Sequence, residues 1–243
     1  MTRVSRRAFL ALSGFALAGL AGCSQDEEPS KQNEPATAEA TEEAEPSPLE
    51  VSECGFYTDE YGTVHYAAIV TNPNMDWSAE RISTTASALD EGGNVIDTAN
   101  DSITLMFENG KTAISGTMMP NAVPASISVQ VSVGSNGWSK QDVTMDEFYS
   151  NLYVDGLNES VSEYGTTTFA GTVVNNLDGS FSLTRINIVI RDAAGAIVGG
   201  AFTYVNGELA AGATAPFSAD ARGVPEHASI EAYVDCGYPV TEQ

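Results

Sequence analysis

Tyr66-Ala67-Ala68-Ile69-Val70-Thr71-Asn72 recurs as Phe169-Ala170-Gly171-Thr172-Val173-Val174-Asn175, an offset of 103 residues. The surrounding sequence keeps the same order. Upstream, Glu60-Tyr61-Gly62-Thr63 returns as Glu163-Tyr164-Gly165-Thr166. Downstream, Arg81-Ile82 returns as Arg185-Ile186, and Asp90 with Gly93-Asn94-Val95-Ile96 as Asp192 with Gly195-Ala196-Ile197-Val198. Phe107-Glu108-Asn109-Gly110-Lys111-Thr112-Ala113 returns as Leu209-Ala210-Ala211-Gly212-Ala213-Thr214-Ala215, with Ser115 standing opposite Phe217. The stretch from Ala125-Ser126-Ile127 to Val133-Gly134 closes the series against Ala228-Ser229-Ile230 to Cys236-Gly237. Over this length the offset drifts only between 102 and 104, as small loop insertions produce.

Within each copy the hydrophobic period is two, the signature of strands. Val64, Tyr66, Ala68 and Val70 alternate with His65, Ala67 and Ile69, and Ile186, Ile188 and Ile190 alternate with Asn187 and Val189. On this pattern His65 points away from the core. Asp90-Glu91-Gly92-Gly93-Asn94 and Asp192-Ala193-Ala194-Gly195 read as hairpin connections, because glycine reaches positive φ without steric cost. Short strands with regular turns, repeated twice, predict an all-β protein of two tandem antiparallel β-sandwich domains, 49–142 and 143–243. Thr144-Met145-Asp146-Glu147 has capping-box spacing and predicts a short helix at the start of the second copy.

The valine-rich strand, Asn175, the isoleucine-rich strand, the Asp192 to Gly195 turn and Leu209-Ala210-Ala211-Gly212-Ala213-Thr214-Ala215-Pro216-Phe217 together resemble the bacterial FxLYD-type extracytoplasmic domain. The likeness covers about 75 residues of the second copy and, more weakly, the first. It implies small immunoglobulin-like sandwiches on a secreted protein or lipoprotein, and it transfers no catalytic residue.

Residues 1–22 read as an export signal. Ser5-Arg6-Arg7-Ala8-Phe9-Leu10 resembles a twin-arginine signal, with Arg6 and Arg7 ahead of an apolar run to Ala21 that is too short to span a bilayer. Leu20-Ala21-Gly22-Cys23 resembles a bacterial lipobox, which implies cleavage before Cys23, diacylglycerol on its sulfur and a further acyl chain such as palmitate on its new amino group. Two or more chains make a stable anchor on the extracytoplasmic face of the cell membrane. Residues 23–48 then form an acidic, proline-rich tether. Its eight acids and four prolines after Cys23, with no apolar side chain larger than alanine, leave it nothing with which to form a core.

The chain carries a formal charge of −23, and loss of Arg3, Arg6 and Arg7 with the signal leaves seven basic residues against 33 acidic, or −26. The basic residues are scattered, which excludes nucleic acid as a partner and leaves the N-terminal lipid as the route to the membrane. Only two histidines are present, His65 and His227, and neither sits in a nucleophile motif, so no catalytic residue is expected. No spacing matches a zinc site, and no cofactor motif is found. Asp97, Asn100 and Asp101, or Asp155, Asn158 and Glu159, offer calcium-type oxygens but lack the glycine and final glutamate of an EF-hand loop.

With Cys23 lipidated, Cys54 and Cys236 remain as a disulfide candidate in an oxidising compartment. Trp77, at a strand end in Asn72-Pro73-Asn74-Met75-Asp76-Trp77, aligns with Phe181, which favours a core or domain-junction role; the alternative is a ligand or partner contact from its loop, which makes it the binding candidate. These features predict a non-enzymatic, lipid-anchored interaction module facing an envelope protein or polymer. The alternative is an accessory lipoprotein that binds a solute or ion, which requires a pocket at the junction of the two copies.

Overall fold

In the first half, β1 (Glu50–Thr58), β2 (Val64–Thr71), β3 (Ser78–Leu89), β4 (Val95–Met106), β5 (Lys111–Met118), β6 (Ser126–Ser132) and β7 (Trp138–Ser139) follow one another. After α1 (Met145–Asn151), the second half contains β8 (Leu152–Val161), β9 (Thr166–Asn175), β10 (Phe181–Ser182), β11 (Arg185–Arg191) and β12 (Ile197–Tyr204). It ends with β13 (Glu208–Leu209), β14 (Thr214–Arg222), β15 (Ser229–Asp235) and β16 (Tyr238–Pro239). The computed structural model describes residues 45–240. Arg6, Arg7, Cys23 and the tether as far as residue 44 lie outside the described residues, as do residues 241–243.

The two halves share one plan. β2 lies between β1 and β5, and β3 lies between β4 and β6 with β7 added at its start. Correspondingly, β9 lies between β8 and β14, and β11 between β12 and β15. All these pairings are antiparallel, so the described residues are all-β apart from α1. Each half buries the face that period two selects. Val64, Tyr66, Ala68 and Val70 pack with Ile82, Ile103 and Ile127 in the first core. Phe169 and Val173 pack with Ile186, Ile188, Ile190 and Phe217 in the second.

The turns form where aspartate and glycine stand together. Asp90 accepts from the amides of Gly92 and Asn94 at 2.9 and 2.8 Å, and Asp192 accepts from those of Ala194 and Ala196 at 2.9 Å each. Each carboxylate thereby holds a hairpin closed. Thr144 caps α1 by accepting from the Glu147 amide at 3.2 Å, as the capping-box spacing predicts.

The other faces of β2 and β11 are also buried, and here the sequence reading needs correction. His65, which period two sends outward, is only 7% exposed, and Ala67, Ile69, Asn187 and Val189 are buried with it. Ala67, Ile69 and Ala113 pack on Val189 and Ile197 in a third apolar cluster, so the β1-β2-β5 sheet lies against the β12-β11-β15 sheet. Four sheets are therefore stacked, with two sandwich cores and a junction between them. A sheet covered on both sides reads as a near-continuous run of buried residues, which Val64 to Val70 and Arg185 to Ile190 are.

The stacking depends on missing side chains. A Cβ on Gly55 would sit 1.8 Å from the Ile197 carbonyl oxygen, and one on Gly200 would sit 2.8 Å from the Ala67 Cβ and 2.9 Å from the Ser115 Cβ. Tyr57 uses the same closeness from the other side. It leaves β1 to join the second core, and its ring lies 2.3 Å from where a Gly199 Cβ would be.

The register also corrects one repeat assignment. Tyr66 pairs with Gly116 and Phe169 with Ala219, so the offset across these strands is 103 and the counterpart of Phe217 is Ile114, not Ser115. A one-residue slip exchanges the faces of a strand. Ile114 does pack in the first core, while Ser115 faces the junction. The end of the tether is docked as well: Ser47 and Asn74 exchange hydrogen bonds of 2.7 and 2.8 Å, and Leu49 enters the first core.

Because the halves share this face, urea unfolding of the protein is expected to show one cooperative transition. Gly55→Val should lower stability by about 1–3 kcal/mol or more through overpacking, or split the transition in two. An unchanged single transition in Gly55→Val would contradict the stacked junction.

Candidate functional site

At one edge of the junction a buried arginine gathers polar groups from both halves. Arg185, 2% exposed, donates from Nε to Asn187 Oδ1 at 3.0 Å and from one terminal nitrogen to the Asp101 carboxylate and the Tyr204 hydroxyl. Its other terminal nitrogen donates to the Ser115 carbonyl. The guanidinium centre lies 4.2 Å from the centroid of the Phe202 ring, which desolvates it while its electrons face the charge. Ser115 completes the link through Oγ, which donates to the Ala201 carbonyl at 2.7 Å. Nearby, Asp235 crosses in the opposite direction. Its carboxylate accepts from the Thr104 amide of the first half at 3.0 and 3.2 Å, and burial pushes its carboxyl above the ordinary value. Arg191 adds an ion pair from β11 to Glu53 of β1.

At another edge, the His65 ring stacks on Tyr57 with centroids 4.7 Å apart and contacts Asp59 at 3.3 Å. Burial opposes charge on Asp59. The Thr63 amide, the His65 ring and the Tyr61 amide nevertheless hold its carboxyl below the usual range. A polar cleft of about 530 Å³ opens beside this pair, between the Asp59–Thr63 turn and Asp220 to Arg222 of β14. Arg222 reaches back across it to the Tyr61 hydroxyl at 3.1 Å.

A second cleft, of about 350 Å³, lies beneath α1 and is more apolar. Tyr149, Leu152, Tyr153, Val154, Tyr233 and Val234 line it from the second half, and Lys111 and Thr112 line it from the first. Its roof is held by an aromatic cluster. Phe107 of the first half meets Phe148 at 5.0 Å and Tyr149 at 5.9 Å, and Phe148 also meets Phe181 at 6.3 Å. This is the junction pocket that a small ligand requires, and it falls near the lower end of the size range of ligand sites, about 300–1,000 Å³. No motif pointed to it, because its walls come from segments that are ordinary core strands when read singly.

The residues singled out in the sequence are placed differently. Trp77 is half-buried, with the Lys140 ammonium 5.2 Å from its ring centroid and its carbonyl held by Asn72 at 2.7 Å; its counterpart Phe181 is buried in the second core. Cys54 and Cys236 do not pair, and both are free thiols. Cys54 is exposed on β1, its sulfur 3.7 Å from the Ile127 carbonyl, whereas Cys236 is buried in the second core, where desolvation and the nearby Asp235 push its thiol up to about 12. The disulfide reading is corrected accordingly: Cys54 lies exposed on β1 of the first half and Cys236 in the core of the second.

Four of the groups considered for calcium are engaged in structural contacts. Asp101 holds Arg185, Asp97 accepts from the Met119 amide, Asn100 accepts from Thr85, and Glu159 takes His227 at 2.8 Å. Among the described residues, no group of three or more His, Cys, Asp or Glu side chains is placed to hold a metal ion.

No protein-family model and no curated protein matches the chain. Among solved structures, a transglutaminase from red sea bream is similar at 9% identity and a TM-score of 0.26, covering 79% of this chain and 30% of its own length. A likeness at that score carries no argument about function.

Two outcomes follow from the side-chain environments. Alkylation of the native protein without reductant is expected to modify Cys54 and spare Cys236, with Cys236 reacting only after denaturation; a mass showing both sulfurs blocked as a disulfide would contradict the free thiols. For His227, burial disfavours the charged ring, but the Pro225 carbonyl and Glu159 outweigh it and raise its pKa. That contribution to stability is fully present below the unfolded value of about 6.5 and is lost as pH rises through the folded value. Glu159→Gln should therefore lower the His227 pKa in an NMR titration and destabilise the protein at acidic but not alkaline pH.

Proposed function

We propose that the protein is a non-enzymatic interaction module, lipid-anchored through Cys23 on the extracytoplasmic face of the cell membrane and presenting two fused β-sandwiches to an envelope protein or polymer. The observation that carries this reading is the shared buried face between the halves. It holds loops from both copies in fixed relation, so a partner meets a preorganised surface and little ordering entropy is lost on binding. Both histidines are engaged in structural hydrogen bonds, which supports a binding role over a catalytic one. The acidic charge favours a basic or neutral partner.

A second reading, an extracytoplasmic solute-binding accessory lipoprotein, draws support from the apolar cleft at the junction under α1.

The first test is a crosslinked pull-down from intact cells, comparing the native protein with Cys23→Ser and Trp77→Ala forms. Recovery of one envelope component with the native protein, reduced in both variants, is the expected result. Background recovery from all three would set the interaction-module reading aside in favour of the solute-binding one.

A further inference from the structure

Lys111 differs from the other described basic residues. Arg81 meets Glu80 and the Asn136 carbonyl, Arg185 and Arg191 are held by carboxylates, Arg222 meets Tyr61, and Lys140 lies over Trp77. Lys111 makes no ion pair or side-chain hydrogen bond among the described residues, in a protein whose acids outnumber its bases threefold. It lines the cleft under α1, and so does Asp146 of α1, an acid likewise without a partner there. One cleft thus carries an unpaired cation from the first half, an unpaired anion from the second, and apolar walls of Leu152, Val154 and Val234 with three tyrosines.

On the solute-binding reading above, we infer that this cleft binds a free amino acid with an apolar or aromatic side chain. Lys111 receives the carboxylate, Asp146 the ammonium, and the tyrosine and aliphatic wall the side chain. Other ligand classes match less of the cleft. A simple anion is repelled by the acidic chain at long range, a simple cation meets Lys111, and a neutral apolar molecule leaves both charges unanswered. The volume of about 350 Å³ suits one residue-sized molecule better than a peptide. The two charges come from different halves, so only the stacked protein presents both.

Isothermal titration of the full mature chain in lipid nanodiscs tests this with four probes: phenylalanine, phenethylamine, 3-phenylpropionate and 3-phenylpropanol. Phenylalanine is expected to bind about ten- to hundredfold more tightly than each probe that lacks one charge, the range for a hydrogen bond to an ionised group. Lys111→Gln should abolish its advantage over phenethylamine, and Asp146→Asn its advantage over 3-phenylpropionate. Both side chains are exposed, so the unfolding midpoints should stay at the wild-type value. Equal affinity for all four probes, no heat from any of them, or wild-type discrimination in both variants would overturn the assignment. A partner recovered in the pull-down alongside silent titrations would leave the interaction module standing and remove the amino-acid site alone.

Discussion

The close approach of two sheets at the junction is the constraint on which the rest of this structure depends. Sheets normally pack about 10 Å apart with interdigitating side chains. Here Gly55, Gly199 and Gly200 remove side chains where Ile197, Tyr57 and Ala67 come through, and the contact becomes tight enough to bury His65, Asn187 and Arg185. Burying such groups is costly unless their hydrogen bonds are made. Arg185 makes its own with groups from both halves, His65 meets Asp59, and Asn187 accepts through Oδ1 while its Nδ2 has no partner among the described residues. The apolar centre supplies attraction. The polar edge ties the two halves to one alignment, because a shifted stack would strand a guanidinium in the interior.

Much of the fold was legible in the sequence, because strand period and turn chemistry are local. The Asp90 and Asp192 hairpins and the Thr144 cap are each set by residues within a few positions of one another, and the repeat shows by comparing such local patterns. The junction was written there in a weaker form. His65, Ala67 and Ile69 are too apolar for a solvent face, and a strand apolar on both faces is one covered on both. Alternation read for a single sandwich assigns that second face to water by default.

Other features were not legible for the same reason. Arg81-Ile82 and Arg185-Ile186 match as residue types, yet Ser83 pairs with Ser132 as Arg185 pairs with Asp235, so buried Arg185 stands at the position of exposed Ser83 and Arg81 falls two residues earlier. A local match of two residues does not reveal that shift, nor which sheet the other half covers. The cleft under α1 combines Lys111 with residues more than thirty positions away, and neither cysteine signals by spacing that it stays unpaired.

The stacking joins unlike faces: the β1-β2-β5 sheet of one copy meets the β12-β11-β15 sheet of the other. Contacts between unlike surfaces of repeated units are open by symmetry, and nothing in their geometry limits them to two units. The limit here lies in composition. On the outer sheet of the second copy, Thr168, Ala170 and Thr172 stand where His65, Ala67 and Ile69 make the junction. On the outer sheet of the first, Thr85 and Ser87 stand where Asn187 and Val189 do. Duplication therefore produced a pair of differently specialised ends rather than a growing rod, and the hydroxyl-bearing outer sheets act as caps on what would otherwise be the first two links of a fibre.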